Sequence, residues 1–449
     1  MKRNLTSMRR ILARRLFDLW RIISIPCAAA TAGGPVPPPD DRPAPEPEAS
    51  RPPTDAHGSI SKKRLWYWGA AILIALPVGG FLVAASGIMP IKASSGHWPI
   101  TAWFLNFSMG RSVSTHAAGI EAPPLDDPGL ILRGAGHYHI SCRPCHGSPE
   151  RRQPRVPLAM IPHPTYLPPV IPEWSPEELF YIVKHGVKFT GMPAWPTQQR
   201  DDEVWAVTAF LLTMPELDEE EYWQLVSAEP VGRAAAEAGT NGSSSRTEDD
   251  VRQLARRLCA DCHGIDGTGR GDGAFPSLAG QHADYLTSAM QAYARGTRHS
   301  GIMEPVAAAI REDDFRRLAE FYGSTSTGRA LRPGTPENAS QSEPADADLA
   351  ASLERGRQIA EHGIPDEKIP ACIDCHGPTA HPRNGHHPLL AGQQEWYLRQ
   401  QLELFHEARR GGSEYAHVMQ PIAGRMKPEQ IRDVAAWFAR QTSARTQPE

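Results

Sequence analysis

The chain has 449 residues, with 47 Lys plus Arg against 51 Asp plus Glu and a formal charge of −4. That balance, with no basic run interleaved with aromatics away from one short apolar segment, excludes a nucleic-acid partner. The length admits two to four domains, and 43 prolines with 38 glycines point to linkers and loop-rich modules.

Residues 1–60 begin with a basic stretch carrying Arg9, Arg10, Arg14, Arg15 and Arg21, followed by a Pro/Ala/Glu-rich tract at 35–53. The tract has no means of forming a core, so residues 1–60 are expected to be a disordered cytoplasmic tail whose basic amphipathic part, 5–23, lies on the inner membrane surface. Cys27 is the unpaired seventh cysteine. Asp18 and Arg21 interrupt the apolar run ahead of it, which argues against a lipidation box.

Residues 65–86, LWYWGAAILIALPVGGFLVAAS, are uncharged and long enough to cross a hydrocarbon layer of about 30 Å as a helix. Trp66, Tyr67 and Trp68 stand where an aromatic belt lies, and Lys62, Lys63 and Arg64 abut the start, whereas only Lys92 and His97 follow closely. The positive-inside rule therefore predicts a single-pass bacterial plasma-membrane protein with everything after the span on the periplasmic side. A position this far into the chain favours a retained anchor over a cleaved leader.

Residues 87–127 form a connector whose aromatic stretch, 98–107, suits either the membrane interface or the face of the first module. Three modules follow, at 128–217, 248–323 and 348–442. The segments between them, VGRAAAEAGTNGSSSRTE and STGRALRPGTPENASQSEPAD, have linker composition.

Each module opens with one copy of a single motif: CRPCH (Cys142, Cys145, His146), CADCH (Cys259, Cys262, His263) and CIDCH (Cys372, Cys375, His376). Two thiols separated by two residues can each form a thioether with a porphyrin vinyl group, and the next histidine reaches the iron. The expectation is three covalently attached haem c groups. A zinc site would want a second ligand pair in each module, and none with cysteine is present.

The second and third modules are an internal repeat. FPSLAGQHADYL (275–286) answers to HPLLAGQQEWYL (387–398), and MEPVAAAI (303–310) to MQPIAGRM (419–426). Each module also ends in a helical pattern: Val204, Val207, Phe210 and Leu211 in the first, Phe315, Leu318, Ala319 and Tyr322 in the second, and Ile431, Val434, Ala435 and Phe438 in the third. Ser175, Pro176 and Glu178 give a helix start with a capping box. The fold class predicted is all-α.

A sixth ligand decides between a wire and an open catalytic haem. The soft candidates are Met192, held between Gly191 and Pro193 in a tight loop, Met303, which is followed by Glu304 and Pro305, and its repeat counterpart Met419, followed by Gln420 and Pro421. Met160 lies close behind His146, and Met290 belongs to a helical stretch. Met426 occupies the place of Ile310 and reads as packing, while His417 is a rival to Met419. His185, His282 and His406 are scattered singly, with no nucleophile and base pair.

In these residues the chain resembles the class I cytochromes c. Residues 248–442 are similar to the tandem di-haem cytochrome c4 type, through CADCHGIDGTGRGDGAFPSLAGQ, CIDCHGP with PLLAGQ, the methionine loops and the endings LAEFY and VAAWF. The resemblance implies that the LAGQ segments line the haems and that the two modules exchange electrons. The third module departs from it, with TAHPRNGHHP where the second has IDGTGRGDGAF. The first module, with CRPCHGSP and GMPAW, resembles single cytochrome domains attached to terminal oxidases and membrane dehydrogenases.

The function expected is therefore a membrane-anchored tri-haem electron carrier of a respiratory chain, taking electrons from a quinol-oxidising complex or a soluble cytochrome and passing them towards a terminal oxidase. The alternative is a cytochrome subunit accepting electrons from a periplasmic alcohol- or aldehyde-type dehydrogenase. In either case the second and third modules are expected to dock as a pair, with the first moving more independently.

Overall fold

The computed structural model describes residues 62–89, 91–149, 151–227, 248–271, 273–325, 343–377 and 384–441. The expectations for residues 1–60, for Cys27, for most of both linkers and for part of the divergent loop of the third module lie outside the described residues. Two compact units separate, Met1–Gly87 and Ile88–Glu449.

In the first unit, helix α1 (Lys62–Ala85) is long and apolar enough to cross a membrane, and none of its residues is buried. Its Pro77 lies inside the helix.

The second unit contains a helix within the expected connector, α2 (Pro99–Ala117). Its C-terminal half packs on the first module: Val113 and Ala117 are buried, Ser114 Oγ donates to Glu178 Oε1 at 2.6 Å, and the His116 ring stacks on Tyr181. Its N-terminal half leaves Trp103, Phe104 and Phe107 more than half exposed, as is Trp98 just before it.

The rest of this unit is helical, and among the described residues there is no β-strand, only isolated bridges. In each module the helix entering the CxxCH segment packs against the last long helix: α3 (Pro128–His137) on α5 (Asp201–Thr213), α7 (Glu248–Leu258) on α10 (Glu312–Ser324), and α11 (Glu343–His362) on α14 (Pro428–Ala439). At two of these crossings a glycine permits the approach, since a Cβ on Gly134 would overlap the Ala206 carbonyl and one on Gly356 the Asp433 carbonyl.

All twelve apolar residues assigned to the terminal helical faces are buried, and each module has its own apolar core built around them. Burying each of Phe210, Phe315 and Phe438 is worth about 2–3 kcal/mol. The predicted capping box is formed at α4 (Pro176–His185), where Ser175 Oγ accepts from the Glu178 N–H and the Glu178 carboxylate accepts from the Ser175 N–H. The first core reaches past residue 217, because α6 (Glu219–Val226) places Tyr222 and Val226 inside it.

The remaining elements complete the tandem. They are α8 (Ala283–Ala294) and α9 (Met303–Ala308) in the second module, and α12 (Glu395–His406) and α13 (Ala416–Ala423) in the third.

Candidate haem-binding sites

The three CxxCH segments fold alike. The second cysteine and the histidine of each motif lie on a single helical turn, Arg143–His146, Ala260–His263 or Ile373–His376. Each turn stops at a glycine with positive φ: 77° at Gly147, 75° at Gly264 and 65° at Gly377. That conformation suits glycine and ends the helix at the histidine. In the first module a five-residue π-helical stretch, Tyr138–Cys142, leads into the motif.

Each histidine is held by a backbone carbonyl from a loop beyond it. The Nδ1 of His146 lies 2.8 Å from the Thr165 carbonyl, that of His263 2.9 Å from the Pro276 carbonyl, and that of His376 2.8 Å from the Pro388 carbonyl. A carbonyl only accepts, so Nδ1 carries the proton and the lone pair falls on Nε2, the tautomer that suits a metal ligand.

Burial pushes the Cys142 and Cys262 thiols up to about 12 and those of Cys259 and Cys372 up to about 11. Thiols held neutral in this way are poor zinc or redox thiolates, whereas thioether formation leaves them uncharged.

Of the methionines, Met192 sits in a compact loop in which its N–H donates to Thr190 Oγ1 (3.1 Å) and its carbonyl accepts from Val187 N (3.2 Å). Met160 is brought against the same loop, its methyl group filling the space beside Gly191, a proximity that sequence distance did not reveal. Met303 opens α9, with its N–H donating to Ser300 Oγ (3.0 Å), and Met419 lies in α13. Met426 is 3% exposed in the third core, and Met290 packs against the second. His417 is exposed, its Nδ1 bonded to the Glu414 carbonyl.

The second and third sites open into one cavity of about 860 Å³, lined by Cys259, Cys262, His263 and Met303 on one side and Cys372, Cys375, His376 and Met419 on the other. The motif residues of the first module do not line it.

A local two-fold relates the cavity walls. Gln281 Nε2 donates to the Leu389 carbonyl (3.1 Å) while its Oε1 accepts from Leu389 N (2.8 Å). Gln393 does the same to Ser277, at 2.9 and 2.8 Å. Arg298 and Arg410, equivalent in the repeat, are both buried and share the Oε1 of Gln401, at 3.4 and 2.7 Å. Each guanidinium lies over an equivalent ring, Tyr293 or Phe405, and Arg298 also bonds Tyr285 and Tyr397.

Among the described residues no carboxylate pairs with either arginine. Burial and the Arg298 charge lower the Arg410 pKa. Two buried like charges without an anion are costly, and both side chains line the cavity. A porphyrin, which brings carboxylates on its propionate edge, supplies the missing counter-charge. The residues present therefore fit haem: thiols for the covalent bonds, imidazoles whose Nδ1 is tied to a carbonyl, thioethers, and guanidinia for the propionates.

The first module docks on this pair. Arg133 lies 4.0 Å over the Trp396 ring of the third module and donates to the Ala274 carbonyl of the second. Buried Arg200 bonds Asp202, Glu203 and the His299 carbonyl, Gln400 donates to Asp202, and Arg409 donates to the Gln199 carbonyl. Burial pushes the Glu203 carboxyl up, and the Arg200 guanidinium beside it opposes that shift and favours the carboxylate. The expectation of an independent first module is thus corrected. It rested on the repeat shared by the second and third modules and on linker content, whereas the polar contacts that fix the first module come from residues far apart in sequence.

Comparison with known proteins agrees with this geometry. Residues 129–211 match the family described as cytochrome c oxidase, cbb3-type, subunit III, and residues 249–325 and 353–441 match cytochrome c. A protein of Thiomonas intermedia (strain K12) named thiosulfate dehydrogenase electron acceptor is 31% identical over 183 residues, 41% of this chain and 78% of the relative.

The chain belongs to the class I c-type cytochromes.

Its tandem is of the cytochrome c4 kind. Cytochrome c4 of Thiocapsa roseopersicina is 29% identical over 41% of this chain and 87% of the relative. The solved structure of Acidithiobacillus ferrooxidans cytochrome c4 is 31% identical, covering 40% of this chain and 98% of its own, with a TM-score of 0.32. As a c-type cytochrome the protein transfers electrons and binds haem c covalently.

Proposed function

We propose that this cytochrome is a membrane-anchored, tri-haem electron carrier acting on the periplasmic face of a bacterial plasma membrane. Cys142 and Cys145, Cys259 and Cys262, and Cys372 and Cys375 hold the three haems. His146 with Met192, His263 with Met303, and His376 with Met419 are the residues that would bind the three irons. The observation that carries this reading is the threefold recurrence of one arrangement, a CxxCH turn whose histidine Nδ1 is tied to a backbone carbonyl.

Bound haem c supplies a one-electron ferric/ferrous couple. The chain's own residues do the rest. The carbonyls hold each imidazole in one tautomer, and the Met192, Met303 and Met419 thioethers favour the reduced state and so a fairly high potential. The periplasmic reading rests on the apolar helix α1 and the basic residues Lys62, Lys63 and Arg64 at its start.

For the partner, a terminal oxidase is the first reading, supported by the match of the first module to an oxidase-subunit family. The dehydrogenase reading gains from the relative named for thiosulfate dehydrogenase, which shifts the donor class from the expected alcohol or aldehyde type towards sulfur compounds. The reading is tested by the haem-to-protein ratio of the denatured, membrane-extracted chain, expected to be three. Co-purification then separates the partners, with haem-copper subunits supporting the first and a thiosulfate-oxidising enzyme the second. A ratio below three would remove the tri-haem assignment.

A further inference from the structure

We propose that the first module fixes the sixth-ligand loop of the second, with Glu203 acting as a positioning residue for Met303. The inference rests on the reading of Met303 as a haem ligand and adds what holds it in place.

Glu203 belongs to α5 of the first module, yet its carboxylate is spent on the second. It is 6% exposed, and accepts from Ser300 Oγ at 2.6 Å and from the Gly301 N–H at 2.7 Å. Ser300 Oγ in turn accepts from the Met303 N–H at 3.0 Å. One carboxylate thus reaches the backbone of Met303 through a single hydroxyl. Arg200, 3.0 Å away, and Trp195 Nε1, 3.4 Å away, hold Glu203 from its own side. Hydrogen bonds to a charged acceptor are about twice as strong as neutral ones, and a buried one that is broken leaves its donor unsatisfied.

Shape agrees with charge. A Cβ on Gly301 would overlap the Trp195 indole, so only glycine lets the loop approach the first module here. On the motif side, a Cβ on Gly136 of α3 would lie 3.2 Å from Cys262 Sγ. The first module therefore grips the second haem site at its methionine loop and at its thioether side.

Among the described residues the third module shows no such grip. Counting from the LAGQ segment, the counterparts of Ser300 and Gly301 are Gly412 and Ser413. Ser300 precedes Met303 by three residues, whereas Ser413 precedes Met419 by six. The polar contacts of the first module with the third go to Gln400 and Arg409 instead. Cys375 is exposed. The two sites of the tandem, alike in ligands, differ in what anchors the sixth.

The test uses the full-length holoprotein. Glu203→Gln and, because it is the smaller change, Ser300→Ala are compared with Met303→Leu by the methionine-to-ferric-iron charge-transfer band and by titration with imidazole, which competes for a loosened sixth position. Met303→Leu is expected to remove the band at one haem. Glu203→Gln is expected to raise imidazole affinity at that same haem by about tenfold or more, the factor equivalent to one charge-assisted hydrogen bond, and Ser300→Ala to do so more weakly, with the other haems unchanged. If Met303→Leu removes the band while both other variants keep wild-type imidazole affinity, the positioning role is overturned. If Met303→Leu leaves every band intact, the ligand assignment itself is wrong and the inference falls with it.

Discussion

Gln281 and Gln393 stand at equivalent places in the repeat, and each makes two hydrogen bonds to the backbone of the opposite module, Gln281 at Leu389 and Gln393 at Ser277. Those two residues directly follow Pro388 and Pro276, whose carbonyls hold His376 and His263. The interface therefore braces both histidine-orienting loops, each module supporting the other's. Removing either glutamine by Gln281→Ala or Gln393→Ala deletes two partly buried bonds and is expected to cost about 2 kcal/mol. Denaturant titration of the holoprotein measures this, and an unchanged midpoint for both variants would refute the bracing.

Arg298 and Arg410 give a second expectation. A positive charge near a haem favours the ferrous state, so its loss lowers the potential. Arg298→Gln or Arg410→Gln should lower the midpoint potentials of the second and third sites by about 60 mV, the shift of a tenfold change in a one-electron equilibrium, with the first site little changed. Spectroelectrochemical titration reads the three separately. A drop confined to the mutated arginine's own module would show that the pair does not serve both sites.

How much of this was legible follows from range. The CxxCH turns, the Ser175 cap and the buried faces of α5, α10 and α14 are written in spacings of three or four residues, and the sequence carries them openly. The repeat also pointed to a docked tandem. Glu203 with Ser300, 97 residues away, and Arg298 with Gln401, 103 away, have no local signature. An acidic residue in the first turn of a helix reads as ordinary dipole compensation, and an isolated arginine as surface. α2 carries no clear helical signal, because its run of exposed aromatics lacks a strong one-sided pattern, and α6 lies beyond the last helical pattern the first module displays.

The first module carries a pH dependence of its own. Burial lowers His137 to about 4, and burial with the charges of Arg143 and Arg270 lowers His139 to about 4. An imidazole whose folded value lies below its unfolded value of about 6.5 takes up its proton mainly on unfolding. Its contribution is therefore full above pH 6.5 and is lost as pH falls to about 4, each group accounting for up to about 3 kcal/mol. His137→Phe should flatten this part of the stability profile, seen by denaturant titration across the window. A variant with the wild-type slope would exclude His137 as a source.

The last expectation concerns the membrane. If α1 is the anchor, a chain lacking residues 1–86 should still attach covalent haem when exported, but should leave the membrane fraction. The exposed Trp98, Trp103, Phe104 and Phe107 complicate that release. Aromatic side chains favour the headgroup region, and α2 is bound to the first module through Val113 and Ala117, so the truncated chain should keep a weak affinity for lipid vesicles. Trp103→Ser with Phe107→Ser, applied to the truncated chain, should abolish that residual binding without altering haem content, because neither side chain contributes to the first core. Vesicle co-sedimentation gives the answer. Truncated protein that stays wholly with the membrane after both substitutions would show that attachment comes from a partner rather than from α1 or α2.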